Sequence, residues 1–346
     1  MRPPRAPHRR ADESGVSEIM GVTMLLAMVI STMAGVMVVM QPFMQDLTDN
    51  RDWSSGTVAA TQFNDRLLVV AESPSGTGMI IHSQHVSDTI RPLRMAEIWQ
   101  ISADLYGDDR VNIELHSWGF QVTSLNSSAT SISISGPLES EEWNLTEGMG
   151  DITTNVSMQQ WIQIDVKDID DHIIHRWIQT PLDGIQLRTP LSIGSFDVNL
   201  INGARIQQLP NQPIDVEEFP RLHHDVDLDG KMRVSIMLLD ADIEGAEQSM
   251  SMSMSLDIES KGTITFFDED ARNLRISPEF TGTDNPESRY LRQWTDSYDL
   301  HRATGDSSEY FGFGPKGRVS GSEGLTLHPV DTEFHLDVVL QQVVVS

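Results

Sequence analysis

Between Ile19 and Met40 the chain carries no charged side chain for 22 residues. At ~1.5 Å per residue a helix of that length is ~33 Å long, enough to cross a hydrocarbon core of ~30 Å. The segment stands alone at one end of an otherwise polar chain, where a soluble domain has no use for it. Its flanks give it a direction. Arg2, Arg5, Arg9 and Arg10 precede it; Asp46, Asp49 and Asp52 follow, with Arg51 the nearby base. The positive-inside rule puts the N-terminus in the cytoplasm and residues from about 45 onward outside. A secretory signal peptide also begins with a basic stretch, but its apolar region is usually about 7–15 residues and ends in a small-x-small site. This run is longer and continues into Gln41-Pro42-Phe43-Met44, so a retained single-pass helix is expected.

Within the helix, Thr23, Ala27, Ser31 and Gly35 recur at every fourth position and form a narrow strip of small side chains. Such a strip lets a second helix approach closely enough for backbone packing and hydroxyl hydrogen bonds. Met24, Leu25, Met28, Met37 and Val38 cover the opposite surface. Glu18, at the start of the run, suits the positive end of the helix dipole.

The junction Gly15-Val16-Ser17-Glu18-Ile19-Met20-Gly21-Val22 resembles the start of archaeal type IV pilins and archaellin-like surface proteins. The resemblance implies that a prepilin peptidase cuts a short basic leader between Gly15 and Val16 on the cytoplasmic side and leaves the helix in place. It departs from the family pattern in one respect: Ser14, not a basic residue, stands before the glycine. It covers about 30 residues closely, and more loosely the plan of helix, stalk and acidic β-rich body. The partners it implies are the membrane and other pilin-like subunits, including copies of the chain itself, packed through this helix.

The 346-residue chain has a formal net charge of -27 and only four lysines, Lys167, Lys231, Lys261 and Lys316. Such a surface repels nucleic acid and anionic lipid. The absence of cysteine rules out disulfides, thiolate catalysis and Cys-ligated metal centres. An exposed body must therefore be held by its core, and the residues beyond the membrane are numerous enough to make one or two domains.

The pattern divides the chain into a basic leader (1–15), a membrane helix (16–44), a stalk helix (45–73) and an acidic β-rich ectodomain (74–346). Pro42 is expected to bend the first helix, and Ala59, Phe63, Leu67 and Val70 make one face of the second. From about Met79 the period becomes 2. Val111, Ile113 and Leu115 alternate with polar residues, as do Ile132 and Ile134. Ile162, Ile164 and Val166 lead through Asp168–Asp171 to Ile173–Ile178, a hairpin pattern. Phe196, Val198 and Leu200 lead to Asn202-Gly203, a favoured type I′ turn pair. Met250, Met252, Met254, Leu256 and Ile258 alternate with a polar face, and Phe334, Leu336, Val338 and Leu340 close the chain on another strand. The fold class read from this is an N-terminal transmembrane helix plus a mainly β, antiparallel sandwich-like domain, with a candidate subdivision at 180–195. One further helix is expected, capped by Asn285, begun by Pro286 and faced by Leu291, Trp294 and Tyr298.

Few motifs carry chemistry. Three N-x-S/T sequons begin at Asn126, Asn144 and Asn155, on the side expected to be outside, and mark candidate glycosylation sites in an exposed loop region. Asp225, Asp227 and Asp229 with Gly230 match the first half of a calcium loop, but Ile236 stands where its last acidic ligand belongs, leaving Asp240 or Asp242 to complete a site. A hairpin turn at Asp229-Gly230 explains the same residues. Gly312–Gly317 spells G-x-G-x-x-G, yet Pro315 and the Gly/Ser-rich stretch after it deny the helix a dinucleotide site needs, so a loop is expected. Neither His172 with His175 nor His223 with His224 forms a natural chelate. An enzyme is not expected. The leading reading is a pilin-like surface protein, as subunit or minor component of a pilus-like assembly, displaying its β-rich body for adhesion or recognition. The alternatives are a non-polymerising single-pass extracellular binding module and, remotely, an anchored extracellular hydrolase.

Overall fold

A computed structural model describes residues 11–82, 89–107, 109–116, 119–154, 159–226, 230–245, 248–249, 255–280, 311–314, 324–327 and 333–346. One helix, α1 (Ala11–Ala71), opens the chain and contains Pro42. Chain residues Met1–Ser54 and Ser55–Ser346 form two compact units.

Nineteen strands follow among the described residues. The first seven are β1 (Gly78–His82), β2 (Thr89–Asp104), β3 (Val111–His116), β4 (Gly119–Ser124), β5 (Ser131–Ser135), β6 (Ser140–Asn144) and β7 (Met149–Ile152). Next come β8 (Ile162–Lys167), β9 (Ile173–Leu191), β10 (Gly194–Ile201), β11 (Ala204–Gln208), β12 (Asp215–Glu218) and β13 (Arg221–Val226). The rest are β14 (Met232–Ile243), β15 (Gln248–Ser249), β16 (Ser255–Phe280), β17 (Phe311–Gly314), β18 (Gly324–Leu327) and β19 (Phe334–Val345).

Period-2 patterning dictates most of these strands, because alternate side chains must reach a core while their neighbours face water. Ile132 and Ile134 of β5, Phe196, Val198 and Leu200 of β10, and Phe334, Leu336, Val338 and Leu340 of β19 are all buried. At the β10–β11 turn Asn202 and Gly203 both adopt positive φ, 53° and 74°, as a type I′ turn requires. The β8–β9 hairpin turns through Asp171 at φ 63°. His172 lies in that turn, while His175 is on the strand, buried against Asp104.

The main sheet path runs β12-β11-β10-β9-β2-β16-β19-β14-β13. Its two ends are consecutive in sequence: Glu218 ends β12 and Arg221 begins β13. A link that short spans about 10 Å, so the path must curl on itself rather than lie flat. β16 makes the corner. Its residues 258–271 pair with β19, and from Arg272 to Phe280 it pairs with β2, with a register shift between Arg272 and Arg275. A strand that passes from one sheet to the other is how a sandwich closes its corner. The large core between the faces joins Trp99, Ile101 and Ile178 to Val234, Ile236, Leu336 and Val338. A separate core gathers Phe120, Ile132, Ile164 and Trp177 around β3, β4, β5, β8 and the start of β9.

The last turns of α1 belong to the body. Ala60, Phe63, Leu67 and Val70 are buried with Ile185, Phe196, Val198 and Ile258 in a third core. The deep position is Ala60, one residue beyond the expected Ala59. Pro74 stops the helix. Gly76 then donates its N–H to Ser260 O at 2.8 Å, and Ser260 Oγ donates to Ser73 O at 2.9 Å, so the helix end is clamped to β16.

Three expectations change. The sheet is not wholly antiparallel: β14 and β19 run parallel from Arg233↔His335 to Ile243↔Val345. The stretch 180–195 is not a boundary, because β9 runs unbroken through Thr180–Leu191 and pairs with β2 and β10 there. The stalk is not a separate helix but the continuation of α1. The expected helix at 285–298 and Met250–Met254 lie outside the described residues.

Candidate functional site

The longest continuous run of exposed apolar side chains among the described residues lies on α1. Met24, Met28 and Met37 are 77%, 71% and 73% exposed, and the large apolar side chains from Ile19 to Leu47 are exposed with them. This is the one helix among the described residues long and apolar enough to cross a membrane. Isolated exposed apolar residues need no explanation, but a continuous run of them requires a partner or a lipid solvent.

Thr23, Ala27, Ser31 and Gly35 are all exposed. Nothing lies within 4 Å of where a Cβ on Gly35 would be. A four-residue step turns a straight helix about 40° past a full circle, so the strip winds about 120° over its length and suits a crossing partner rather than a parallel one. Thr23 Oγ1 donates inside its own helix, with Ile19 O at 2.9 Å and Met20 O at 3.0 Å, and Thr32 Oγ1 does the same with Met28 O and Val29 O. In the single chain the Thr23 proton is thus engaged within its own helix, and the oxygen keeps acceptor capacity. Gly15 and Val16 lie in the first turns of α1.

Two of the three sequons fall on described residues. Asn126 is exposed in the turn after β4. The Asp109 carboxylate holds that turn: Oδ1 accepts from Asn126 N at 2.8 Å, and Oδ2 accepts from Ser128 N at 3.2 Å and from the Ser124 and Ser128 hydroxyls. Although burial pushes the Asp109 carboxyl up, these donors outweigh it and hold the group below the usual aspartate value. Asn144 is also exposed, but it ends strand β6, opposite Ser131, and is not in a loop. Asn155 lies outside the described residues.

The half calcium loop does not close as expected. Asp225 is exposed on β13 and pairs across the ladder with Arg233, while Asp227 and Asp229 lie outside the described residues. Asp240 is seven residues beyond Arg233 on the same strand, about 23 Å along it, so neither it nor Asp242 can complete a site at the turn. Gly230, at φ 78°, fits a turn. A cluster missed in the sequence is Asp168, Asp170 and His172, whose ligand atoms lie within 4.8 Å of one another. Its hydrogen bonds shape the β8–β9 turn: Asp168 Oδ1 accepts from the backbone N–H of Asp170 and of His172, both at 2.9 Å. Although desolvation pushes the other way, these bonds and the His172 side chain together hold the Asp168 carboxyl below its ordinary value. In the G-x-G-x-x-G segment, Phe311–Gly314 is strand β17 paired with β18 rather than a loop, and no helix opens from it among the described residues.

The least anticipated feature is a polar knot where β2, β9 and β14 meet. Leu93–Glu97 is a bulge in the β2–β9 ladder, and Met95 sits in it at φ 47°. Met95 N donates to Asp183 Oδ1 at 2.7 Å, and Arg94 Nη1 donates to Asp183 Oδ2 at 2.7 Å and to Asp242. Arg94 Nη2 donates to Ile243 O at 3.0 Å. The Asp183 hydrogen bond and both carboxylates hold the Arg94 guanidinium above its ordinary value. Asp183 N donates to Asp240 Oδ1 at 2.9 Å, tying β9 to β14. Burial pushes the Asp240 carboxyl up to about 6; the Asp183 N–H and Gln342 oppose the shift, and the charges of Asp183 and Asp242 add to it. Beside the knot is a cavity of about 470 Å³. A carboxylate repeat at positions 240 and 242 was the only sequence signal for this place.

Compared with known proteins, the chain matches no family model, no curated protein and no solved structure.

Proposed function

We propose that the chain is a pilin-like, membrane-anchored cell-surface protein that displays a β-rich body for adhesion or recognition. The observation that carries this reading is the exposed apolar stretch of α1, ending in a helix segment packed into the body's own core. Such a helix can span a bilayer, or bundle with copies of itself, while the body stays folded. The basic residues before it and the acidic residues after it favour a cytoplasmic N-terminus and an external body. The Gly15-Val16 junction supports a processed leader, and the Thr23–Gly35 strip supports assembly with pilin-like subunits.

A second reading is a single-pass binding module that never polymerises. The size of the body, larger than a filament subunit needs, favours it.

Crosslinking of the full chain in membranes separates the two. Gly35→Leu should wedge neighbouring helices apart while leaving insertion intact, and Met28→Leu, on the other surface, should be neutral. Loss of oligomers with Gly35→Leu alone supports assembly. Equal oligomer yield in the wild type and both variants leaves the monomeric module.

A further inference from the structure

The cavity beside the polar knot lies within the body and is formed by six separate stretches of chain among the described residues. Thr180 and Asp183 come from β9, Asp240 from β14, Ile264 from β16, and Leu340 and Gln342 from β19. Trp161, just before β8, adds an aromatic wall and is braced edge-on by Phe266, with ring centroids 5.6 Å apart at 68°. At about 470 Å³ the space is within the usual range for a small-molecule site.

Its chemistry is one-sided. Two carboxylates line it, and among the described residues no lysine, arginine or histidine does. The base beside it, Arg94, directs its guanidinium to Asp183, Asp242 and Ile243 O rather than to Asp240. Asp240 receives one backbone N–H at 2.9 Å and a long bond from Gln342 Nε2 at 3.3 Å. Each carboxylate oxygen can accept a further hydrogen bond, so acceptor capacity remains at the cavity. An anionic ligand would be repelled, and the negative field of a chain with net charge -27 draws cations toward such a cleft. The apolar walls Trp161, Ile264 and Leu340 suit a hydrocarbon stem, and an aromatic wall also favours a cation.

The geometry points to a binding site for a small alkylammonium ligand, its stem against Trp161, Ile264 and Leu340 and its ammonium group on Asp240. Binding of this kind deepens the recognition role of the body and is independent of how the chain is anchored or whether it polymerises. The charged groups around Asp240 are Asp183 on β9, Asp242 on its own strand and Arg94 on β2, which is ion-paired with both of those aspartates. Asp240 is therefore the acid whose ionisation the ligand should report. With its carboxyl pushed up to about 6, its ionised fraction falls about tenfold between pH 7 and pH 5.

The test is calorimetric titration of the full chain, in a neutral maltoside detergent, with n-butylammonium chloride. n-Butanol is the uncharged control of similar shape. One saturable site is expected at pH 7, with affinity about tenfold weaker at pH 5. Asp240→Asn should lose at least about tenfold at pH 7 and flatten the pH dependence. Trp161→Leu should weaken binding but keep it. The wild-type comparison of the two pH values needs no variant to fold. Absence of saturable binding at millimolar concentrations, equal binding of n-butanol, or affinity unchanged between pH 7 and pH 5 would overturn the assignment.

Discussion

Asp183 donates its backbone N–H to the Asp240 carboxylate at 2.9 Å, and this bond joins β9 to β14, two strands that are not ladder neighbours. It holds an acidic side chain where burial disfavours its charge. The folded-state value of about 6 lies above the unfolded value of 3.8. The resulting stability is fully present below about pH 4 and is lost as pH rises through 6, by at most about 3 kcal/mol. Asp240→Asn keeps an acceptor for the Asp183 N–H and removes the charge. Urea unfolding should therefore show the variant gaining on the wild type between pH 4 and pH 7. The same stability difference at both pH values would dismiss a titrating Asp240.

Gly56 of α1 faces Thr189 of β9 at close range. A Cβ there would overlap Thr189 Oγ1 and come 3.5 Å from Phe196 Cδ1. Gly56→Ala should cost about 1–3 kcal/mol despite alanine's better helix propensity, because the obstructing Thr189 side chain is buried in packed surroundings. Adding Thr189→Ala removes the obstructing oxygen and should recover most of that loss. Thermal melts of the two single variants and the double variant give the coupling, and purely additive effects would contradict the close contact.

Asn202 does more than turn a hairpin. Its Oδ1 accepts the N–H of Leu239 at 2.9 Å, two residues past Met237, where the β13–β14 pairing ends. Asn202→Ala loses both this bond and the residue's tolerance of positive φ, leaving a buried amide unpaired. A loss of about 2–4 kcal/mol is expected in urea unfolding. Asn202→Gly, which keeps only the backbone freedom, should fall between the variant and the wild type.

Asp109 organises the turn carrying the Asn126 sequon. Asp109→Ala strands two hydroxyls and two backbone N–H groups and should cost about 2–4 kcal/mol, with faster proteolytic cleavage within residues 125–128. Because the Asp109 carboxyl is held below 3.8, its contribution is present above that pH and lost as pH falls through its folded value. Unchanged proteolysis of the variant would mean the turn is held by other contacts.

If the proposed leader processing occurs, intact-mass measurement of membrane-extracted protein should show a chain beginning at Val16. A start at Met1 or Arg2 would refute processing and favour the plain anchor.

The residue pattern alone determined what depends on near neighbours in the chain. The uncharged run from Ile19 announces a helix with no core of its own to enter. Alternation in Ser131–Ser135, Phe196–Leu200 and Phe334–Leu340 marks strands, because a pleat sends successive side chains to opposite faces. Asn202-Gly203 marks its turn through backbone conformation alone. The polar knot was not legible: Arg94, Asp183 and Asp240 each read as one more charge on an acidic surface. Spacing makes Asp240 a candidate calcium ligand as well, because it cannot show that β14 carries the residue about 23 Å from the turn. The parallel pairing of β14 with β19 and the unbroken passage of β9 through Thr180–Leu191 were likewise decided by tertiary structure. Local pattern sets which face of a strand is buried, but its partner and register come from packing between residues far apart in the chain. Packing also decides whether hydrogen bonding or burial prevails at a carboxyl: hydrogen bonds lower Asp109, whereas burial raises Asp240 in spite of the bonds it accepts.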